Sequence, residues 1–172
     1  MPVTVPHFDT AFFRSALGRF ATGVTVVTAE TADKQPVGLT VSSFNSVSLE
    51  PPLILWSLSK SSSSLPHIQA SQGYVVHVLS AAQVKLARRF AYGSQTDRFT
   101  DQPLSRTPGG LLMLADECSA WFACRHYAQH DAGDHVVLIG AVEDCARTAN
   151  LPLIYHAGDF DLTPNNLPLS QA

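Results

Sequence analysis

Four stretches of the chain carry residue types able to do chemistry. The first, VGLTVSSFNSVSLEPP (residues 37–52), sets Thr40, Ser42, Ser43, Asn45, Ser46 and Ser48 among Val and Leu and stops at Pro51-Pro52. The second is the hydroxyl-rich run SKSSSS (59–64), whose one cation is Lys60. Arg88-Arg89 is the third, and the fourth gathers His126, His130, Asp131, Asp134 and His135. A phosphate needs several N–H or O–H donors and a cation, which hydroxyl clusters with Lys or Arg supply. Taken singly, the first three have ordinary explanations: a polar strand-to-loop transition, a solvated linker, and dipole compensation at a helix end. The fourth matches no zinc-ligand spacing and reads as a hairpin turn, where His and Asp are common. Asp134 and His135 are neighbours at a strand start, so their side chains are expected to diverge, which counts against a His–Asp catalytic pair. No GxGxxG follows a strand, and neither a GxxxxGKS/T loop nor a GxSxG elbow occurs, so a Rossmann site, a P-loop and a serine hydrolase are unsupported.

These residues need a scaffold, and the flanking pattern predicts one built mostly of strands. In 37–52, Val, Leu, Thr and Phe favour an extended chain while the Ser/Asn cluster favours turns. The segment is therefore expected to leave its sheet partway, exposing hydroxyls and backbone N–H groups. Upstream, Asp9 is a plausible N-cap for a helix carrying Phe12, Phe13, Ala16, Leu17 and Phe20, ended by Gly18 or Gly23. TGVTVVT (22–28) alternates as a strand, and 30–36 is polar and supplies a turn. LILWSL (53–58) and YVVHVL (74–79) read as buried strands around a short helix near 65–70. Ser80 with Gln83 forms a capping box for a helix carrying Val84, Leu86, Ala87 and Phe90. Residues 93–110 are rich in turn formers and read as a surface excursion. ECSAWFACRHY (117–127) and HVVLIGAVEDC (135–145) read as a strand and its return through a turn at 129–134, with Gly140 marking a bulge. LPLIYHAGDF (151–160) is a last short apolar piece, and the tail after Leu162 reads as loose. Six or seven strands joined mostly by turns favour an antiparallel barrel over a doubly wound sheet.

Composition agrees. At 172 residues the chain fits a single domain over 1–172, with its core at about 9–162. With 45% hydrophobic and 15% charged residues it fits a packed protein and not a disordered one, and the sparse charge suggests that a second copy covers part of the surface. A net charge of -3 without a Lys/Arg block gives no nucleic-acid surface. No apolar run approaches a membrane span, and the opening MPVTVPHFD does not read as a secretory signal. Cys118, Cys124 and Cys145 form no CxxC and read as buried thiols in a reducing cytoplasm.

Five ordered stretches carry a resemblance: ALGRFATGVTVVT (16–28), VGLTVSSFNSVSLEPPLILWSL (37–58), VHVLSAAQVKLARRFA (76–91), GDHVVLIGAVED (133–144) and PLIYHAGDF (152–160). Over residues 12–160 the chain resembles the short-chain flavin reductases, the reductase components of two-component flavin monooxygenases. The resemblance implies a mainly β fold with flanking short helices, the Greek-key FMN-binding split β-barrel, usually as a homodimer. It implies hydride transfer from NADH or NADPH to FMN or FAD, with reduced flavin released to a partner monooxygenase. A non-catalytic flavin-binding split barrel and a pyridoxamine-phosphate-oxidase-like enzyme are the alternatives.

The same resemblance assigns site residues. The stretch holding Thr40, Val41, Ser42, Ser43, Ser46 and Ser48 lies along the flavin. Ser57, Ser59 and the loop with Lys60, Ser62 and Ser63 approach the ribityl chain and phosphate. Arg89, Phe90 and Ala91 match a further flavin contact, and Tyr155 a position near the nicotinamide. His135, the histidine of the GDH motif, lies near the nicotinamide or isoalloxazine as the catalytic-site residue, favoured for positioning over acid/base work. Relatives place an Arg or Thr in the serine loop, so here the phosphate's main cation is left between Lys60 and Arg89.

Overall fold

The computed structural model describes residues 7–161. The loose tail expected after Leu162 lies outside them. Helix α1 (Thr10–Leu17) starts at Asp9, whose carboxylate accepts the Phe12 N–H at 2.7 Å, and ends at Gly18. No residue of α1 is buried: Phe12 is 67% exposed, and Phe20 beyond it is 77% exposed.

The single strand expected over 22–28 is two strands, β1 (Thr22–Gly23) and β2 (Thr25–Glu30). Val24 lies between them because its backbone bonds Leu153 O and Leu79 N, handing the chain from one sheet to another. Then come β3 (Pro36–Val41), β4 (Asn45–Leu49), β5 (Pro52–Ser59), α2 (Leu65–Ala70) and β6 (Tyr74–Val78). The Ser80/Gln83 capping box forms and leads through a 3-10 turn into α3 (Val84–Tyr92). The excursion over 93–110 is more structured than its turn formers indicate, holding α4 (Gln95–Phe99) and β7 (Leu104–Arg106), which pairs with β8 (Leu112–Leu114). β9 (Ala120–Ala132) and β10 (His135–Arg147) form a long hairpin, followed by β11 (Ile154–His156) and β12 (Asp159–Asp161). Among the described residues twelve strands stand where six or seven were expected, since pieces of two or three residues carry no readable alternation.

Seven strands pair antiparallel in the order β3-β2-β6-β9-β10-β5-β4, and β1-β11-β12 form a second sheet. The two edges of the large sheet, β3 and β4, are consecutive in the chain, so residues 42–44 must bridge them and the sheet must curl. Ser43 ties the seam: its Oγ accepts the Ser57 N–H at 2.9 Å and donates to Ser57 O at 3.1 Å. Neighbours on β2 serve opposite faces. Val27 packs inside with Trp56, Tyr74, Ile68 and Leu138, while Val26 packs with Leu86, Phe90 and Leu153 under α3.

Two backbone positions set the long hairpin. Its turn is Gly133-Asp134 alone, not 129–134, and Gly133 has φ +63°, the conformation that the first position of a two-residue loop reserves for glycine. The bulge expected at Gly140 is present: Ile139 opposes Ala128 and Gly140 opposes His126, leaving Tyr127 as the extra residue. A Cβ at Gly140 would fall on the Tyr74 hydroxyl and within 3.0 Å of Cys124 Cβ, so the strand is glycine there to admit the Tyr74 ring. All three cysteines are free thiols; Cys118 and Cys124 are buried, but Cys145 is exposed where the β9–β10 ribbon leaves the core. Among the described residues, no helix is long and apolar enough to cross a membrane.

Candidate functional site

The segment 37–52 leaves one sheet edge and joins the other, as its mixture of strand and turn formers indicates. Along β3 the outward groups alternate. The Gly38 N–H donates to Gln95 Oε1 at 3.1 Å and Gly38 O accepts from Arg98 Nη1 at 2.6 Å. Two residues on, Thr40 turns its own N–H and C=O to the same outer side, and Ser42 lies exposed just beyond the strand. Thr40 Oγ1 donates to Ala87 O of α3 at 2.7 Å. Gln95 also donates to Ser64 Oγ at 2.8 Å, tying α4 and β3 to the end of the serine loop.

Next to this edge, β5 and β10 present a stripe unlike the core behind it. Ile54, Trp56 and Leu58 are buried with Val136 and Leu138, while Leu55, Ser57, Ser59, His135, Val137 and Ile139 are only half buried. Register pairs His135 with Ser59, Val137 with Ser57 and Ile139 with Leu55, so these six share one face. The stripe has an apolar floor at Leu55, Val137 and Ile139 and a polar end at Ser57, Ser59 and His135. Asn45, opposite Leu55 on β4, borders it.

At the polar end the serine loop meets the hairpin turn. Lys60 N–H donates to Asp134 O at 2.9 Å, and Ser59 Oγ lies 2.8 Å from Ser61 Oγ. Lys60 Nζ is 3.4 Å from Asp131 Oδ2, a long contact between exposed groups that a phosphate can displace at little cost. His135 Nδ1 is 2.7 Å from Asp134 Oδ1. The expected divergence of these neighbours is therefore wrong. Asp134 belongs to the turn and not to the strand, so the two-residue alternation of side chains does not begin until His135. Hydrogen bonding to the imidazole holds the Asp134 carboxyl below its ordinary range.

The structure divides the other expected site residues. Val41 is buried, its carbonyl accepting from Thr25 Oγ1 at 2.8 Å, and Phe90 is fully buried edge-to-face with Phe99 at 5.1 Å, so neither side chain is open to a ligand. Ser42, Ser46, Ser63 and Ala91 are exposed, and Ser48 and Ser62 half buried. Arg89 turns away from the serine loop: its guanidinium donates to Thr100 O at 3.3 Å and lines a separate cavity of about 640 Å³ with Lys85, Gln102, Asp116 and Asn150. Tyr155 sits in the small sheet opposite Thr22 and packs on Phe160 at 5.4 Å. The sequence reads Asp131 and Asp134 as hairpin-turn residues rather than site residues, and the Gln95–Arg98 brace on Gly38 has no local signal.

A family model described as a flavin reductase like domain matches residues 17–163. The chain belongs to that family. FMN reductase (NADH) SmoA of Agrobacterium fabrum is 44% identical over 153 residues, 86% of this chain and 83% of that protein. The reductase component of a flavin-dependent trigonelline monooxygenase from Acinetobacter baylyi is 38% identical over 147 residues, 86% of this chain but 47% of that protein. Among solved structures, flavin reductase PheA2 in its native state aligns with a TM-score of 0.84 at 36% identity, covering 92% of this chain and 100% of that one. The Streptomyces globisporus NADH:FAD oxidoreductase SgcE6, solved with NAD and FAD fragments, aligns with a TM-score of 0.84 at 31% identity, covering 99% and 100%. The span matched as a flavin reductase like domain includes every residue expected at the site, from Thr40 to Tyr155.

Proposed function

We propose that this chain is an NAD(P)H:flavin oxidoreductase that supplies reduced flavin to a monooxygenase. The observation that carries the reading is the half-buried stripe of β5 and β10 beside the open edge of β3. A flat ring with polar edges fits there: Leu55, Val137 and Ile139 offer an apolar floor, and the outward backbone N–H of Thr40 and the exposed Ser42 offer donors to ring nitrogens and carbonyls. Ser46 and Ser48 stand on β4, the other edge strand of the sheet. Ser57, Ser59, Ser62 and Ser63 hold the ribityl chain and phosphate, with Lys60 as the main cation because Arg89 faces another cavity.

Bound flavin would supply the hydride acceptor, and the nicotinamide the hydride. The protein's part is alignment of the two rings, exclusion of water and fixed donors toward charge developing on the reduced ring. His135 orients the nicotinamide carboxamide, and Tyr155 borders the nicotinamide side. FMN with NADH is the favoured pair, because relatives are named FMN reductase (NADH) and NADH:FMN oxidoreductase. A second copy covers α1 and the turn after it, whose Phe12, Phe13, Leu17 and Phe20 are otherwise exposed, and the enzyme works in the cytoplasm.

The test is to follow nicotinamide absorbance with FMN or FAD and NADH or NADPH, omitting each component in turn. Rapid oxidation that saturates with added free flavin is expected. Flavin binding without nicotinamide oxidation would overturn the reading in favour of a binding module, and turnover of an amine in place of the nicotinamide would favour an oxidase.

A further inference from the structure

We propose that Asp134 is a positioning residue that fixes the tautomer of His135, so that Nε2 meets the nicotinamide as a hydrogen-bond acceptor. The inference rests on the reading that His135 faces the nicotinamide. An ionised carboxylate can only accept, so the 2.7 Å contact between Asp134 Oδ1 and His135 Nδ1 requires the proton on Nδ1. In the neutral ring Nε2 then carries a lone pair. The natural partner for that lone pair is the NH₂ of a carboxamide, and not its carbonyl.

The contact is built in. Gly133 gives the turn a left-handed residue, and the Lys60 N–H holds Asp134 O at 2.9 Å, so the carboxylate is delivered beside the ring by backbone anchored on both sides. The side chain of Asp134 is 92% exposed and that of His135 44%, so the pair adds little to stability. Its effect is to choose which nitrogen is free. At this corner Lys60 of the serine loop and Asp131 of β9 pair with each other, and His130 of β9, opposite Val137, stands on the same face as His135. Ser59 of β5 and Ala132 of β9, opposite His135 on either side, carry no charge.

Two measurements test this. Imidazole 15N shifts of the ligand-free protein at neutral pH should show His135 protonated on Nδ1. Asp134→Asn, whose amide can donate to Nδ1, should move the proton to Nε2. In steady state, Asp134→Asn should raise the KM for NADH about tenfold, leave kcat within about twofold, and leave the Kd for FMN unchanged, with Asp134→Glu restoring part of the loss. His135→Ala serves as the control on the underlying reading and should raise the KM for NADH more than it weakens flavin binding. If His135→Ala does so while Asp134→Asn changes neither tautomer nor KM, the positioning role is refuted and the reading of His135 survives. Equal loss of flavin and nicotinamide binding in His135→Ala refutes that reading, and the inference with it.

Discussion

Acid should destabilise this protein through one buried histidine. His77 on β6 is fully buried; its Nδ1–H donates to Val26 O at 3.1 Å and its Nε2 accepts the Leu114 N–H at 3.1 Å. Both ring nitrogens are used only while the ring is neutral, because protonation turns Nε2 into a donor facing another donor. Burial lowers its pKa from 6.5 to about 4, against a smaller raising effect from Val26 O. Between these values the unfolded chain binds the proton and the folded one does not. Stability is therefore present above pH 6.5 and lost as pH falls toward 4. At ~1.4 kcal/mol per pKa unit, the whole window is worth about 3 kcal/mol. Urea denaturation at intervals from pH 7 to pH 4 should show this loss. His77→Gln, which keeps a donor and an acceptor, should start less stable but lose clearly less across the window. Half-buried His126, whose pKa burial also lowers, adds a smaller loss common to both proteins. If His77→Gln loses as much as the parent, or if His77 titrates near pH 6.5 by NMR in the folded parent, the reasoning is refuted.

Other expectations follow from single contacts. Gly140→Ala should cost about 2 kcal/mol, read by urea denaturation, because the new methyl meets the Tyr74 hydroxyl and Cys124 Cβ in a packed core. Ser43→Ala removes the link to both backbone groups of Ser57; it should lower stability by about 1–2 kcal/mol and loosen flavin binding in a fluorescence titration. Lys60→Met should raise the Kd for FMN about tenfold but barely change that for riboflavin, which lacks the phosphate, whereas Arg89→Met should leave both near the parent values; the reverse pattern would assign the phosphate to Arg89.

How far the chain could be read ahead of its structure depended on how local each cause was. Asp9 and the Ser80/Gln83 pair cap their helices by contacts within three residues, and both stand in the structure as read. The departure of 37–52 from its sheet was legible for the same reason, since strand formers and turn formers sit side by side. That it closes the gap between the two sheet edges was not, because Ser43 finds Ser57 only after the sheet has curled. The split at Val24 depends on Leu79 and Leu153, far along the chain, and leaves no local mark. The Asp134–His135 contact was misread by applying strand alternation to a turn residue. Arg89 looked equivalent to Lys60 on charge alone; the direction of its side chain is set by Thr100 and the packing of α3 on β3.

The most direct test of the central claim is anaerobic rapid mixing of the protein and FMN with NADH, following the absorbance of oxidised flavin. Bleaching is expected at a rate that saturates with NADH, fast enough to support steady-state turnover. In His135→Ala that rate should need more NADH to saturate. Flavin that stays oxidised while bound to the folded protein, with either nicotinamide nucleotide, would contradict the claim.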